Sequence, residues 1–208
     1  MLSNLINSAF DERKPITKEE LQKVLHVNNK NTLNQMISHL VYFGVIKRYE
    51  NGLYYIPSSE DKFSHLKPSL SDIVSKKYLE GYQGIRTGAY LLYKYKMTSQ
   101  VSSYYEILSN NVANSTRSKK LYDGKVIVSH PPFPANEKNI RILELLELIK
   151  YMHFSDYSFA QSKQRLSEIY KEFSTDKKEI IDYSNYYKGN KYARFRKVVE
   201  EIVNYETA

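Results

Sequence analysis

Between Leu33 and Val41 the apolar side chains fall at Leu33, Met36, Ile37, Leu40 and Val41. This is the i, i+3, i+4, i+7, i+8 spacing of a helix with one buried stripe. The residues on either side restrict the fold further. Gly44 stands where a helix ends in a left-handed cap. Upstream, Thr17 and Glu20 have the spacing of a capping box, which opens a helix whose apolar positions are Leu21, Val24 and Leu25. The turn from His26 to Lys30 is short enough that the next helix, starting at about Thr32, must cross the first. Downstream, Val45 to Glu50 and Leu53 to Ile56 flank Asn51-Gly52, a dipeptide suited to a type I′ hairpin with positive φ at both central positions.

Two crossed helices followed by a two-stranded wing form a winged helix-turn-helix, expected over residues 1–57. The second helix opposes its apolar stripe with amides and hydroxyls. Asn31, Thr32, Asn34, Gln35 and Ser38 are the candidates for contact with base edges in double-stranded DNA, since amides match adenine in the major groove. Lys30 at the helix entrance and Lys47 and Arg48 on the first wing strand are the candidates for phosphate contact. Winged helices also serve as protein-binding modules, and this segment alone leaves that reading open.

The charge balance points the same way as the motif. The chain has 31 basic and 23 acidic residues, a net charge of +8, which favours a polyanionic partner. There is no cysteine, so a disulfide framework, a thiol nucleophile and cysteine-based metal or cluster sites are excluded. No basic segment followed by an apolar run opens the chain, and no eighteen consecutive residues are apolar, so a cytoplasmic protein without membrane association is expected. The 20 tyrosines, with no tryptophan, are expected mainly as half-buried packing residues.

Pro57 ends the wing, and residues 58–68 read as a polar, proline-bounded linker. From 69 to 208 the pattern is that of an α+β domain. Helical spacing covers Leu70, Ile73, Val74 and Tyr78, and a short helix is expected from Arg86 or Thr87 to about Lys94. Strands are expected at Val101 to Leu108 and Lys125 to Ser129, with Asp123-Gly124 as a turn signal. Pro131, Pro132 and Pro134 end that part, an amphipathic helix follows from about Glu137 to Met152, and two or three more helices fill Asp156 to Tyr205. The fold class is thus α+β and helix-rich, with a small sheet and C-terminal helices behind the head. Residues 58–134 hold 11 basic against 6 acidic groups, most of the excess charge. Near the C-terminus, Lys188, Lys191, Arg194, Arg196 and Lys197 form an acid-free basic run, a second set of candidates for DNA-backbone contact.

Three strings in the middle of the chain add a resemblance. Tyr78 to Leu92 contains Gly81, Gly84, Thr87, Gly88 and Ala89. Met97-Thr98-Ser99-Gln100-Val101 and Ile107 to Asn110 follow. Together they resemble the AbiEi family of antitoxins, in which a winged-helix head precedes a domain with a G-x-x-T/S-G-A, L-T-T-Q-V-P and T-N pattern. The match departs at Lys96-Met97, where the family often has Gly before Leu-Thr, and at Ser102-Ser103, where it has Pro after Gln-Val. Gly84, Gly88 and Gln100 match, and a structural role in tight turns and close approach is expected for the glycines. The resemblance implies the antitoxin of a type IV toxin-antitoxin pair from a bacterial phage-defence (abortive-infection) operon. Such a protein also represses its own operon by binding inverted repeats in the promoter. Its functional partner would be a nucleotidyltransferase-like toxin, neutralised without a stable complex. A winged-helix regulator with a ligand-sensing C-terminal domain is the alternative.

Enzyme signatures are lacking. His26, His39, His65, His130 and His153 lie in no catalytic motif, and the glycines at 81, 84 and 88 lack phosphate-loop or dinucleotide spacing. No cofactor or metal is expected. One fragment, Asp123-Gly124-Lys125, resembles half of a magnesium-dependent nuclease site, with Asp72 or Glu106 as the additional carboxylate. Asp-Gly is also a common hairpin turn.

Overall fold

The computed structural model describes residues 2–63, 65–113 and 118–205, in an α+β arrangement of two compact units, 1–77 and 78–208. In the first unit, α1 (Leu2–Ala9) precedes β1 (Ile16–Thr17), α2 (Lys18–Leu25) and α3 (Lys30–Tyr42). A hairpin of β2 (Lys47–Glu50) and β3 (Leu53–Tyr55) follows, and later the short α4 (Leu70–Val74). The strands form an antiparallel sheet of order β1-β3-β2.

The ends of α2 and α3 have local chemical causes. Thr17 caps α2 by accepting from the Glu20 amide, while the Glu20 carboxylate accepts from the Thr17 amide at 2.9 Å. His26 ends α2 in the left-handed region at φ 52°. The α3 helix begins two residues earlier than the apolar periodicity indicates, because the Asn29 side chain accepts from the Asn31 and Thr32 amides. At its other end Gly44 has φ 70°, with the Val45 amide bonded to the Leu40 carbonyl and the Gly44 amide to that of Val41. That pair of bonds is a Schellman motif. The stripe of α3 meets Ile6, Ile16, Leu21, Leu25, Ile46, Tyr54 and Ile56 in one core. Full burial of Leu33, Ile37 and Leu40 contributes about 1.5–3 kcal/mol each.

The hairpin differs from expectation in its turn. Only Gly52 has positive φ, at 78°, and the pairing shifts by one residue between Arg48 and Glu50. The two-residue turn at Asn51-Gly52 is kept without type I′ geometry, and β2 carries a bulge beside it at Tyr49, a feature that increases local strand twist. The first unit also reaches past the 58–68 segment. Ion pairs Lys14–Asp72 at 3.0 Å, Lys76–Glu20 at 2.5 Å and Lys77–Glu50 at 2.6 Å hold residues 70–77 within it.

The second unit contains β4 (Gly84–Arg86), α5 (Ala89–Lys94), β5 (Tyr105–Ser109), β6 (Lys119–Leu121) and β7 (Val126–Ser129). The helices α6 (Ile140–Tyr151), α7 (Phe159–Phe173), α8 (Lys177–Ser184) and α9 (Ala193–Val203) follow. The sheet order is β4-β5-β7-β6, with β5 and β7 parallel and both edge strands antiparallel to their neighbours. Ile142, Leu143, Leu145, Leu146, Leu148 and Ile149 are buried around nearly the whole circumference of α6. Such a helix must be central, and α5, α7, α8, α9 and β4 surround it. Among the described residues no helix is long and apolar enough to cross a membrane.

Candidate nucleic-acid interface

The α3 helix places the expected contact residues on its outer side. Lys30, Asn31, Thr32, Asn34, Gln35 and Ser38 are all exposed, opposite buried Leu33, Ile37 and Leu40. At 100° per residue, Asn31, Gln35 and Ser38 form one ridge directly opposite the core. Tyr42, 84% exposed, continues it. Thr32 and Asn34 lie on the two flanks. Lys47 and Arg48 are exposed on β2, and the Arg48 guanidinium sits 5.6 Å from the centre of the Tyr54 ring.

Asn34 is not idle. Its Oδ1 accepts from Lys18 Nζ at 2.6 Å, so the acceptor that would meet an adenine amino group already has a donor. Lys18 therefore belongs with the candidate residues. The pair is sixteen positions apart, and no local pattern announces it. Another addition is the exposed aromatic group at the end of α3, where Phe43 packs edge-on against both His39 and Tyr42.

The C-terminal basic run is divided among three settings. Lys188 is exposed in a loop, Lys191 lies on a 3₁₀ turn beside the Tyr192 ring, and Arg194, Arg196 and Lys197 are on α9. Arg194 and Lys197 are exposed. Arg196 is half-buried and donates from Nη1 to the Tyr187 carbonyl at 2.7 Å, which commits it to the fold.

In the second unit Gly84, Gly88, Thr98, Ser99 and Asn110 among the family-like residues make contacts within the fold, while Gln100 is exposed and Gly81 faces open space. A Cβ at Gly84 would lie 2.2 Å from the Leu108 carbonyl oxygen, so the close approach is of two backbones in a sheet. Gly88 has φ 66°, and a Cβ there would collide with the Glu106 carboxylate. Thr98 and Ser99 donate to Asp156 from both hydroxyls and the Ser99 amide. The Ser99 amide bond leads the causes that hold the Asp156 carboxyl below its usual range. Asn110 donates to the Ala135 carbonyl at 2.7 Å and accepts from its amide at 2.9 Å.

Thr87 enters a deeper network. Glu147, fully buried on α6, accepts from Thr87 Oγ1 at 2.7 Å, Tyr187 OH at 2.9 Å and Lys150 Nζ at 2.9 Å. A cleft of about 310 Å³ opens above it, with Glu106, His130, Tyr151 and Lys188 in its walls. Burial raises the Glu106 carboxyl, with the Glu147 charge adding to that and Lys150 opposing it. Burial likewise raises the phenols of Tyr187 and Tyr151.

Asp123 and Lys125 are exposed in the four-residue turn between β6 and β7, where Tyr122, Asp123 and Gly124 all have positive φ. No three histidines and carboxylates suited to holding a metal ion come together among the described residues. His26 is a helix cap, His39 and His153 pack on Phe43 and Phe154, and His130 Nδ1 lies 2.7 Å from the Pro131 carbonyl. In comparisons with family models, curated proteins and solved structures, no match to the chain is found.

Proposed function

We propose that the first unit is a winged helix-turn-helix that reads double-stranded DNA, and that the chain is a type IV antitoxin repressing its own operon through promoter inverted repeats. The observation that carries the DNA reading is the α3 surface. An amide and hydroxyl ridge of Asn31, Gln35 and Ser38 is held rigidly opposite a buried stripe, beside a hairpin bearing exposed Lys47 and Arg48. The antitoxin role rests on the motif resemblance in residues 78–110, and its partner is a nucleotidyltransferase-like toxin neutralised without a stable complex.

The test is binding of the full chain to DNA containing the operon's inverted repeats, over a series of salt concentrations. Affinity falls with a log-log slope of roughly 0.9 per phosphate neutralised. Replacing Lys47 and Arg48 by Gln weakens binding to cognate and scrambled DNA alike. A flat salt dependence sinks the reading. Growth rescue on co-expression with the toxin tests the antitoxin role separately.

One observation favours a second reading, a winged-helix regulator whose second unit senses a ligand. The cleft above Glu147 has convergent polar groups, as small-molecule sites do. A metabolite that shifts operator affinity without any toxin present would establish it.

A further inference from the structure

We propose that Arg86 is an oxyanion receptor in the second unit, binding a phosphate group through the terminal nitrogens of its guanidinium. Arg86 ends β4 opposite Ile107 of β5, which puts Tyr105, two residues along β5, on the same face of the sheet. Gly88 then turns the chain with a φ open to glycine, and Tyr90 arrives in the first turn of α5. The guanidinium carbon lies 3.7 Å from the centre of the Tyr90 ring and 4.4 Å from that of Tyr105.

Two aromatic rings thus pack against the cation and restrain its orientation. A guanidinium donates hydrogen bonds only in its own plane. There the Nε–H is buried without an acceptor, and Arg86 has no hydrogen bond or ion pair to any described residue. Because the terminal nitrogens are not among the buried orphan atoms, they reach solvent. Other cations of this unit are engaged differently: Lys94 pairs with Glu144, Lys150 with Glu147, Lys163 with Glu201 and Arg165 with Glu168. Orphaned buried donors are rare in folded proteins and call for a reason.

Packing against the two rings supplies that reason. The side chain is oriented before any ligand arrives, so little rotamer freedom is lost on binding. An open fork of donors fits two oxygens of a tetrahedral oxyanion. The surplus of 7 basic over 3 acidic residues in 78–134, all within this unit, favours the more highly charged anions, hence phosphate over carboxylate. That phosphate can come from the DNA backbone, in which case the inference rests on the DNA reading above, or from free phosphate or a phosphomonoester.

The experiment is a titration of the full chain with inorganic phosphate, against chloride at matched ionic strength, followed by amide NMR. The wild type shows saturable shifts at and around Arg86, Tyr90 and Tyr105. Arg86→Gln and Arg86→Lys each weaken binding roughly tenfold or more, since lysine keeps the charge but cannot present the fork. Tyr90→Leu keeps the arginine, unclamps it, and weakens binding less. Should Arg86→Gln fail to fold, the other two variants decide. Shifts no larger than those from chloride, or an Arg86→Lys variant that binds as tightly as wild type, overturn the proposal. DNA titrations on the same variants identify the source. A salt slope reduced by about 1 in Arg86→Gln assigns a backbone phosphate. Unchanged DNA affinity with lost phosphate binding assigns a free phosphate group. If the wild type binds no DNA, the head reading fails and the phosphate titration still judges Arg86.

Discussion

The two units use their polar residues in opposite ways. In the first, the amides of Asn31 and Gln35 stand in solvent on a helix whose other side is core. In the second, Thr87, Thr98, Ser109, Asn139 and Glu147 are buried, and their bonds hold strands, turns and helices together. A polar residue kept exposed on a rigid support is available to a partner. One that is buried and fully bonded is part of the frame. By this criterion Thr87 and Thr98 in the family-like strings belong to the frame, and the α3 ridge is a surface free to meet a partner.

The largest expected effect that can break this comparison is at Glu147. Glu147→Ala leaves the Thr87 and Tyr187 hydroxyls and the Lys150 ammonium without their shared acceptor. Removing one partner of a buried charged network costs about 3–5 kcal/mol. Urea denaturation, with hydrogen exchange to locate the loss, should show it in the second unit. A cost under about 1 kcal/mol would mean that the network is dispensable to the fold and that its burial does not distinguish the two units.

The contrast also explains what could be read from the sequence. The head is built from short-range signals: a capping box at Thr17 and Glu20, an apolar stripe, a glycine stop and a turn dipeptide. The turn falls at Asn51-Gly52 as the dipeptide indicates, but Asn51 lacks the positive φ of type I′ and a bulge at Tyr49 lies beside it, which no local signal announces. In the second unit β4 and β6 have three residues each, too few for a period of two to stand out. The strand expected from Val101 begins only at Tyr105, because the Ser102 hydroxyl bonds to the Tyr104 carbonyl and closes a local turn. Glu147 is sixty positions from Thr87 and forty from Tyr187, so nothing in the neighbourhood of any of the three discloses the network.

The next effect in size concerns binding and leaves stability alone. Gln35→Ala removes an amide from the centre of the ridge and should cost about 1–3 kcal/mol of affinity on the cognate operator. Folding stability should stay within about 0.5 kcal/mol, as expected for an exposed position. Asn34→Ala should cost less than Gln35→Ala, because DNA must first displace Lys18 from Asn34 Oδ1. Equal losses on scrambled DNA would remove both residues from base readout and return the ridge to the status of a solvated face.

The smallest effect tests how the head is held together. Thr17→Ala removes the α2 cap and should cost about 1 kcal/mol. Glu20→Gln keeps an acceptor for the Thr17 amide but loses the charge facing Lys76, so its cost at neutral pH should be only about 0.2–1 kcal/mol. Burial pushes the Glu20 carboxyl up, but the bonds from Lys76 and Thr17 outweigh it and leave the folded value below 4.5. A carboxyl depressed on folding stabilises above its unfolded value, and that contribution is lost as pH falls through the folded one. Glu106 has the opposite sign: its raised carboxyl favours the folded state below 4.5, and that contribution is lost as pH rises through its folded value. Glu20→Gln should therefore flatten the acid limb of head stability below pH 4.5, whereas Glu106→Gln should leave that limb intact and remove a penalty near neutrality. An acid limb unchanged by Glu20→Gln would show that the hydrogen bonds of the cap, and not the charge pair with Lys76, hold α2 in place.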